Sequence, residues 1–102
     1  MKASRGDVVW VNLDPTVGHE QGGHRPYLVL SDERLHEARR IVIGVPLTTK
    51  AHPIPTHCEM APGSFAPCEQ PKSFSVRCIA RVEPTGYDVA PVRAILNRLI
   101  DG

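Results

Sequence analysis

Three short apolar runs, rich in β-branched residues, constrain the fold of this chain more than any other feature. They cover residues 8–13, 26–31 and 41–48, and glycine, proline or charged residues separate them. Runs of this length and composition are typical of β-strands. The third run is apolar at both alternating positions, which predicts a strand buried on both faces for much of its length.

The rest of the chain divides into a proline-rich stretch and a terminal helix. Five prolines lie between residues 51 and 71, where we expect short edge strands and turns. Residues 75–82 alternate loosely and predict a further strand, and the charged residues 32–40 predict a short helical turn. From Pro91 the apolar residues follow a helical period, at Val92, Ile95, Leu96, Leu99 and Ile100.

This order of elements predicts a mainly-β protein of the α+β kind. We expect a small, curled, mostly antiparallel sheet or barrel with one C-terminal amphipathic helix. A length of 102 residues predicts one domain, residues 1–102, whose small core would gain from dimerisation.

Charge and cysteine content limit the functions open to the chain. The net charge is +1, so a nucleic-acid site would have to be a local patch, and nine of the twelve basic residues are the phosphate-binding arginine. Three cysteines without a CxxC pair argue against a disulfide scaffold and favour a reducing compartment. We find no signal-peptide core or membrane span, so we expect a cytoplasmic protein without a membrane partner.

A zinc site is the metal-binding alternative that the sequence invites. The residues that invite it are His52, His57, Cys58, Cys68 and Cys78. Structural zinc sites usually pair ligands two to four residues apart, whereas the cysteines here are ten apart. We therefore expect no metal and no cofactor, and interpret the three thiols as buried or idle.

The loop of residues 18–25 carries chemically active side chains between glycines. Glu20 and His24 can move protons near neutral pH, and Arg25 can hold a phosphate. Glycine lets a backbone approach a ligand closely. On composition alone, a polar surface loop closed by a structural ion pair explains the same residues.

Two further polar groups stand out later in the chain. Thr48, Thr49 and Lys50 follow the third predicted strand and place hydroxyls and a cation at its end. A basic and polar cluster follows, which would suit a phosphate backbone or a solvated strand face. Its members are Gln70, Lys72, Ser73, Arg77 and Arg81.

Taken together, these segments resemble the MazF/PemK (Kid) family of toxin endoribonucleases. The resemblance rests on RGDVVWVNLDPT at residues 5–16, GHEQGGHRP at 18–26, LVLS at 28–31 and VPLTT at 45–49. It is strongest over residues 5–50 and covers nearly the whole chain.

The resemblance implies an SH3-like antiparallel barrel that works as a homodimer. It also implies metal-independent, sequence-specific cleavage of single-stranded messenger RNA, opposed by a cognate antitoxin. Arg25 and Thr48 fall on the family's catalytic arginine and threonine, and Glu20 falls on its loop acid. His24 is a further catalytic candidate. For RNA contacts we expect Gln21, Thr49, Lys50, Gln70, Lys72, Ser73 and Arg77.

Cleavage of this kind uses the RNA 2′-hydroxyl as nucleophile on the adjacent phosphate. It would leave a 2′,3′-cyclic phosphate and a 5′-hydroxyl, with Arg25 and Thr48 stabilising the phosphorane and Glu20 or His24 transferring protons. Pro71, and Val76 near the place of an aromatic residue in several members, depart from the family pattern. We expect these departures to affect which RNA sequence is cut.

Two other functions fit the same fold. One is a non-enzymatic gyrase inhibitor like CcdB, whose function the resemblance ties to a C-terminal tail with a tryptophan; this chain ends in Leu99-Ile100-Asp101-Gly102. The other is a catalytically dead RNA-binding barrel. The C-terminal sequence and the Arg25–Thr48 pair favour the nuclease over the gyrase inhibitor, whereas the RNA-binding barrel stays open because geometry decides catalysis.

Overall fold

The computed structural model describes residues 2–12, 24–50 and 54–102. Seven strands, two helices and a 3₁₀ turn make up these parts of the chain. Their order is β1 (Val8–Asn12), β2 (His24–Val29), α1 (Glu33–Arg39), β3 (Ile41–Pro46), β4 (His57–Ala61), β5 (Ser64–Pro67), β6 (Lys72–Ser75), the 3₁₀ turn (Val76–Cys78), β7 (Ile79–Glu83) and α2 (Ala90–Asp101).

Five of the strands form one antiparallel sheet in the order β6-β3-β2-β1-β7, while β4 and β5 form a separate hairpin. The two edge strands, β6 and β7, are joined only by Val76–Cys78. Four Cα–Cα steps reach at most about 14 Å, whereas the outer strands of a flat five-stranded sheet lie about 19 Å apart. The sheet must therefore curl strongly.

This architecture confirms the mainly-β prediction with a C-terminal helix. The curled sheet is open rather than a closed barrel, because β6 and β7 form its two edges. The prediction of a barrel is therefore too strong, although the curl brings the two edges close together.

Both faces of the sheet are covered by apolar side chains. The inner face of the curl, formed by alternate residues such as Val9, Val11 and Val29, packs against residues of the 3₁₀ turn and β7. The outer face, which includes Leu28 and Val45, packs against α2 and the β4–β5 hairpin. Each strand of the sheet thus has one set of side chains inside the curl and one set outside it.

One sequence prediction is wrong in detail. Residues 75–82 are not one strand, because the Ser75 hydroxyl accepts a hydrogen bond from the Arg77 backbone N–H at 3.1 Å and starts the 3₁₀ turn. The third strand is largely buried on both faces, as predicted, with Val42 and Val45 fully buried and Ile43 38% exposed. The predicted helical turn at residues 32–40 is confirmed as α1, which Asp32 caps by accepting from the Arg34 N–H.

The terminal helix forms where its periodicity predicts, but it buries only part of its apolar face. Val92 is fully buried, whereas Leu99 is 48% and Ile100 is 72% exposed. In the parts of the chain that the structure describes, no helix has the length and apolar character that crossing a bilayer requires.

The two ends of the five-stranded sheet differ. One, which we call the anchored end, contains the start of β1, the end of β2 and residues 3–7. There the Gly6 N–H donates to the Val29 carbonyl at 2.9 Å, and the Gly6 carbonyl accepts from the Tyr87 N–H and the Thr85 hydroxyl. Gly6 has φ +94°, and a Cβ there would lie 2.4 Å from the Tyr87 carbonyl oxygen, so this close approach requires glycine.

A buried histidine completes the anchored end. His36 Nδ1 lies 3.0 Å from the Ala3 carbonyl, which can only accept, so this nitrogen carries a proton. Its Nε2 lies 2.6 Å from the Ser31 hydroxyl oxygen, which also accepts from the Ile43 N–H at 2.9 Å. The network joins α1, the N-terminal segment and β3.

Candidate functional site

The opposite end of the sheet, which we call the open end, gathers the predicted site residues. Asn12 and Pro46 end β1 and β3 there, and His24, Lys72 and Ile79 begin β2, β6 and β7. The antiparallel registers place these five termini together. The open end is therefore where residues far apart in sequence meet.

Arg25 and Thr48 are brought together by the register of β2 and β3. Tyr27 pairs with Pro46, and the Leu47 N–H donates to the Pro26 carbonyl at 2.9 Å beyond the end of β3. Leu47 therefore lies opposite Pro26, and the next pair in this register is Thr48 with Arg25. Side chains directly opposite each other on antiparallel strands project to the same face, with Cβ atoms about 5 Å apart.

Thr48 is held in place by the β4–β5 hairpin. Its N–H donates to the Phe65 carbonyl at 2.9 Å, and its carbonyl accepts from the Phe65 N–H at 2.8 Å. The Thr48 hydroxyl oxygen accepts from the Lys50 N–H at 3.1 Å, which leaves the hydroxyl proton to donate elsewhere. The hairpin thus fixes the backbone from which this hydroxyl group projects.

Arg25 is exposed and lies at the mouth of the inner face, beyond a buried tyrosine. Tyr27 shares its face of β2 and packs edge-on against Phe74, with ring centroids 5.2 Å apart. Burial raises the pKa of the Tyr27 hydroxyl, and the positive charge of Arg25 opposes that rise. At neutral pH Tyr27 therefore keeps its proton and supplies no base beside Arg25.

The basic cluster predicted late in the sequence is divided by the sheet. Lys72 pairs with Gly44, two residues before Pro46, which places it on the face of Arg25. Ser73 pairs with Ile43 and projects to the other face. Gln70, Thr49 and Lys50 are exposed near this end of the sheet, and the Gln70 amide donates to the Glu69 carboxylate at 3.2 Å.

His24 and Arg77 lie on a different part of the open end. His24 pairs with Asn12, and alternation along β2 projects it to the face opposite Arg25. With Arg77, it lines an open trough of about 390 Å³. The structure therefore does not bring His24 to the Arg25–Thr48 pair, while Glu20 and Gln21 lie outside the described residues.

The thiols do not form a reactive centre. Cys68 is buried, and burial, with smaller effects of Cys58 and Glu69, raises the pKa of its thiol to about 11. A thiol at that pKa is protonated at neutral pH and is a poor nucleophile or metal ligand. Among the residues that the structure describes, no three His, Cys, Asp or Glu side chains are grouped to hold a metal ion.

Sequence reasoning missed one feature of the open end, the pairing of Trp10 with Arg81. The Arg81 guanidinium carbon lies 4.9 Å from the Trp10 ring centroid, in a cation–π contact. The sequence predicts that Trp10 lies in a strand, and alternation with Val9 and Val11 places it on the outer face. Only the β1–β7 register, in which Trp10 pairs with Arg81, shows the contact.

Comparison with known proteins identifies the class to which this fold and site belong, the toxins of type II toxin–antitoxin systems. The family model described as PemK-like, MazF-like toxin of type II toxin–antitoxin system matches residues 4–98. The chain is 44% identical to the endoribonuclease toxin MazF of Escherichia coli K12, over 93% of this chain and 91% of that protein. The chain belongs to the PemK-like, MazF-like toxin family, which confirms the predicted family and its endoribonuclease class.

Solved structures agree with this membership. A MazF crystal structure from Deinococcus radiodurans matches with a TM-score of 0.75 at 27% identity, covering 100% of this chain and 99% of that one. A MazE–MazF structure from the same organism matches with a TM-score of 0.78 at 28% identity, covering 99% and 97%. The second structure contains that toxin together with MazE.

Proposed function

We propose that this protein is a sequence-specific, metal-independent endoribonuclease that cuts single-stranded messenger RNA through attack of a 2′-hydroxyl on the adjacent phosphate. The observation that supports it most is the opposition of Arg25 and Thr48 at the open end, one side chain from β2 and one held by β5. RNA carries its own nucleophile, so such a site needs charge stabilisation and proton transfer rather than a metal.

Arg25 and Thr48 have complementary tasks in this mechanism. The planar guanidinium of Arg25 binds two non-bridging phosphate oxygens at once, and its charge opposes the negative charge that grows on the phosphorane. The Thr48 hydroxyl donates a hydrogen bond to the same phosphate. Lys72, on the same face as Arg25, holds a neighbouring phosphate.

Proton transfer needs a group other than these two. Glu20 and His24 are the candidates from the sequence, and the position of His24 on the opposite face favours Glu20 as the acceptor for the 2′-hydroxyl proton. His24 then contributes to RNA binding. Glu20→Gln should abolish the acidic limb of the pH–rate profile, whereas His24→Gln should change the KM more than kcat.

Cleavage of a long single-stranded RNA in excess EDTA tests the function. We expect discrete fragments with 5′-hydroxyl and 2′,3′-cyclic phosphate ends, and 5′-end sequencing should reveal one short cleavage sequence. A gyrase inhibitor or an inactive RNA-binding protein would leave the RNA intact. Fragments that appear only after a divalent metal is added would contradict the metal-free mechanism.

We propose that a cognate antitoxin competes with RNA for the open end. Arg25, Lys72 and Arg77 give this end a positive charge that attracts an acidic, disordered segment as well as RNA. The antitoxin would then inhibit by occupying the RNA path in the cytoplasm. Simultaneous binding of RNA and the antitoxin segment at full affinity would contradict this.

We also propose a homodimer formed through the exposed part of α2 and β3. Ile43 and Leu96 line a shallow concavity of about 200 Å³, and Leu99 and Ile100 continue the apolar surface along α2. A second copy covering this surface would remove it from water. Light scattering should give twice 11.2 kDa at micromolar concentration, and Ile100→Lys should shift the protein toward monomer.

A further inference from the structure

The outer face of the open end carries an aromatic and cationic surface that the Arg25–Thr48 mechanism does not use. Trp10, His24, Ala80 and Arg81 line an open trough of about 450 Å³. It adjoins the trough of Arg77, because His24 and Ala80 line both. No carboxylate lines either trough among the described residues, and Arg77 and Arg81 are the cations that line them, with Arg81 ion-paired to Glu83 outside the troughs.

Trp10 and Arg81 form the centre of this surface. The guanidinium lies over the indole ring at 4.9 Å, and the Arg81 side chain is 61% exposed. Its ion pair with Glu83, at 3.4 Å, joins two exposed side chains and constrains Arg81 weakly. Arg81 can therefore turn to a ligand phosphate while the indole ring stays fixed in β1.

The ring of Trp10, rather than its nitrogen, is the part open to a ligand. Trp10 Nε1 is buried, whereas the residue lines the open trough with Arg81. An aromatic ring beside arginines is a combination that binds single-stranded nucleic acid through stacking and charge.

The position of Trp10 relates this surface to the cleavage site. Arg25 pairs with Val11, the residue next to Trp10. The side chains of Arg25 and Trp10 therefore project to opposite faces of the sheet. Trp10 also lines a concavity of about 240 Å³ with Thr48 and Thr49, so its surface adjoins the cleavage site at the end of β3. The nucleotide at Trp10 is then one that flanks the scissile step.

We propose that Trp10 and Arg81 form a stacking subsite for one flanking base of the RNA, with Arg81 and Arg77 contacting its phosphates. This inference rests on the proposed RNA cleavage and adds a specificity-determining position to it. An RNA base is favoured over an antitoxin side chain because the surface joins a planar ring with two arginines. A peptide carboxylate would use the arginines but not the ring.

The chain has a single tryptophan, so its fluorescence reports directly on this subsite. The test uses the full chain and an RNA oligonucleotide with the mapped cleavage sequence and a 2′-deoxy nucleotide at the cut position, which cannot be cleaved. A set of matched oligonucleotides each lacks one base. We expect the complete oligonucleotide to quench Trp10 fluorescence, and one abasic oligonucleotide to lose both the quenching and about 5- to 100-fold in affinity.

Variants connect this loss to the side chain. Trp10→Ala should bind the complete oligonucleotide more weakly by the same factor as the unaltered protein loses when that base is absent. On the oligonucleotide that lacks this base, Trp10→Ala should cause no further loss of affinity. Trp10→Phe should retain most of the affinity for the complete oligonucleotide. Arg81→Ala should lower the salt dependence of binding, and Arg39→Ala, exposed on α1, is its matched control. Because quenching is measured on the unaltered chain, the result does not depend on whether Trp10→Ala folds.

Three outcomes would overturn the subsite. One is equal quenching by every abasic oligonucleotide, and another is unchanged affinity of Trp10→Phe and Trp10→Ala. The third is a Trp10 variant that weakens antitoxin binding alone, which would assign the surface to that partner. If the unaltered protein neither binds nor cuts RNA, the proposed function fails instead, so the two failures are distinguishable.

Discussion

The anchored end and the open end of the sheet belong to the same five strands but differ in how their polar groups are used. At the anchored end, backbone and side-chain groups around Gly6 and His36 satisfy one another within the protein. At the open end, Arg25, Lys72 and Arg77 are exposed. Polar groups that stabilise the fold are concentrated at one end, and those free to bind a ligand at the other.

The largest effect should come from replacing an arginine at the open end. Arg25→Lys keeps the charge but loses the planar fork, so we expect single-turnover cleavage to fall by about a hundredfold to a thousandfold, as when an oxyanion donor is removed. Stability should hardly change, since Arg25 is exposed.

Arg5→Lys is the matched control at the anchored end. It loses the hydrogen bond from Arg5 Nε to the Leu30 carbonyl, 3.0 Å long, and should lower stability slightly without slowing cleavage. If Arg25→Lys cuts RNA at nearly the normal rate, Arg25 recruits substrate by charge alone.

Glycine substitutions test the anchored end next. Gly6→Ala combines a positive φ with a contact to the Tyr87 carbonyl, so the free energy of unfolding should fall by about 2–5 kcal/mol. Gly86→Ala has φ +61° but open space around its Cβ, and should cost only about 1–2 kcal/mol. Urea unfolding measures both, and equal losses would show that the close approach at Gly6 is unimportant.

A lysine at each end gives a smaller contrast. Lys72→Ala should raise the KM for RNA several-fold and reduce the slope of log affinity against log salt by about 0.7, the value for one phosphate contact on a single strand. Lys2→Ala, which removes the exposed ion pair with Glu33 at 3.6 Å, should leave the slope unchanged. Identical slopes for the two variants would remove Lys72 from the RNA path.

The smallest effect concerns acid stability at the anchored end. Hydrogen bonds from Arg34 hold the pKa of the Asp32 carboxyl below its usual range. Because the pKa of this carboxyl is lower in the folded than in the unfolded state, its ionised form stabilises the fold at pH values above the unfolded-state pKa. This contribution is lost as the pH falls below about 4. Asp32→Asn keeps the helix cap but does not titrate, so its stability should vary less between pH 7 and pH 3 in thermal unfolding. Parallel profiles would contradict this.

The sequence predicts the elements of both ends better than it predicts their contacts. The runs at residues 8–13, 26–31 and 41–48 became β1, β2 and β3 with bounds one or two residues different, because a strand ends where its partner ends. The prediction failed at residues 75–82, where the Ser75 hydroxyl bonds the Arg77 N–H locally and interrupts the strand.

The site is harder to predict because it depends on register. Lys72 and Ser73 are adjacent in the sequence, but alternation sends them to opposite faces. The Trp10–Arg81 contact joins strands that are separated by most of the chain, and nothing local to either residue indicates it. The resemblance to a family names Arg25 and Thr48, while the pairing of β2 with β3 is what places them opposite each other.

The pairing of β1 with β7 has a consequence for synthesis of the protein. The interior strand β1 lacks one of its two neighbours until residues 79–83 have left the ribosome, and α2, which packs on the outer face, follows still later. At about 5–20 residues per second, several seconds pass between the emergence of β1 and that of β7. Native assembly of the five-stranded sheet therefore waits for most of the chain, so no folded toxin is present on a ribosome from which only the first half of the chain has emerged.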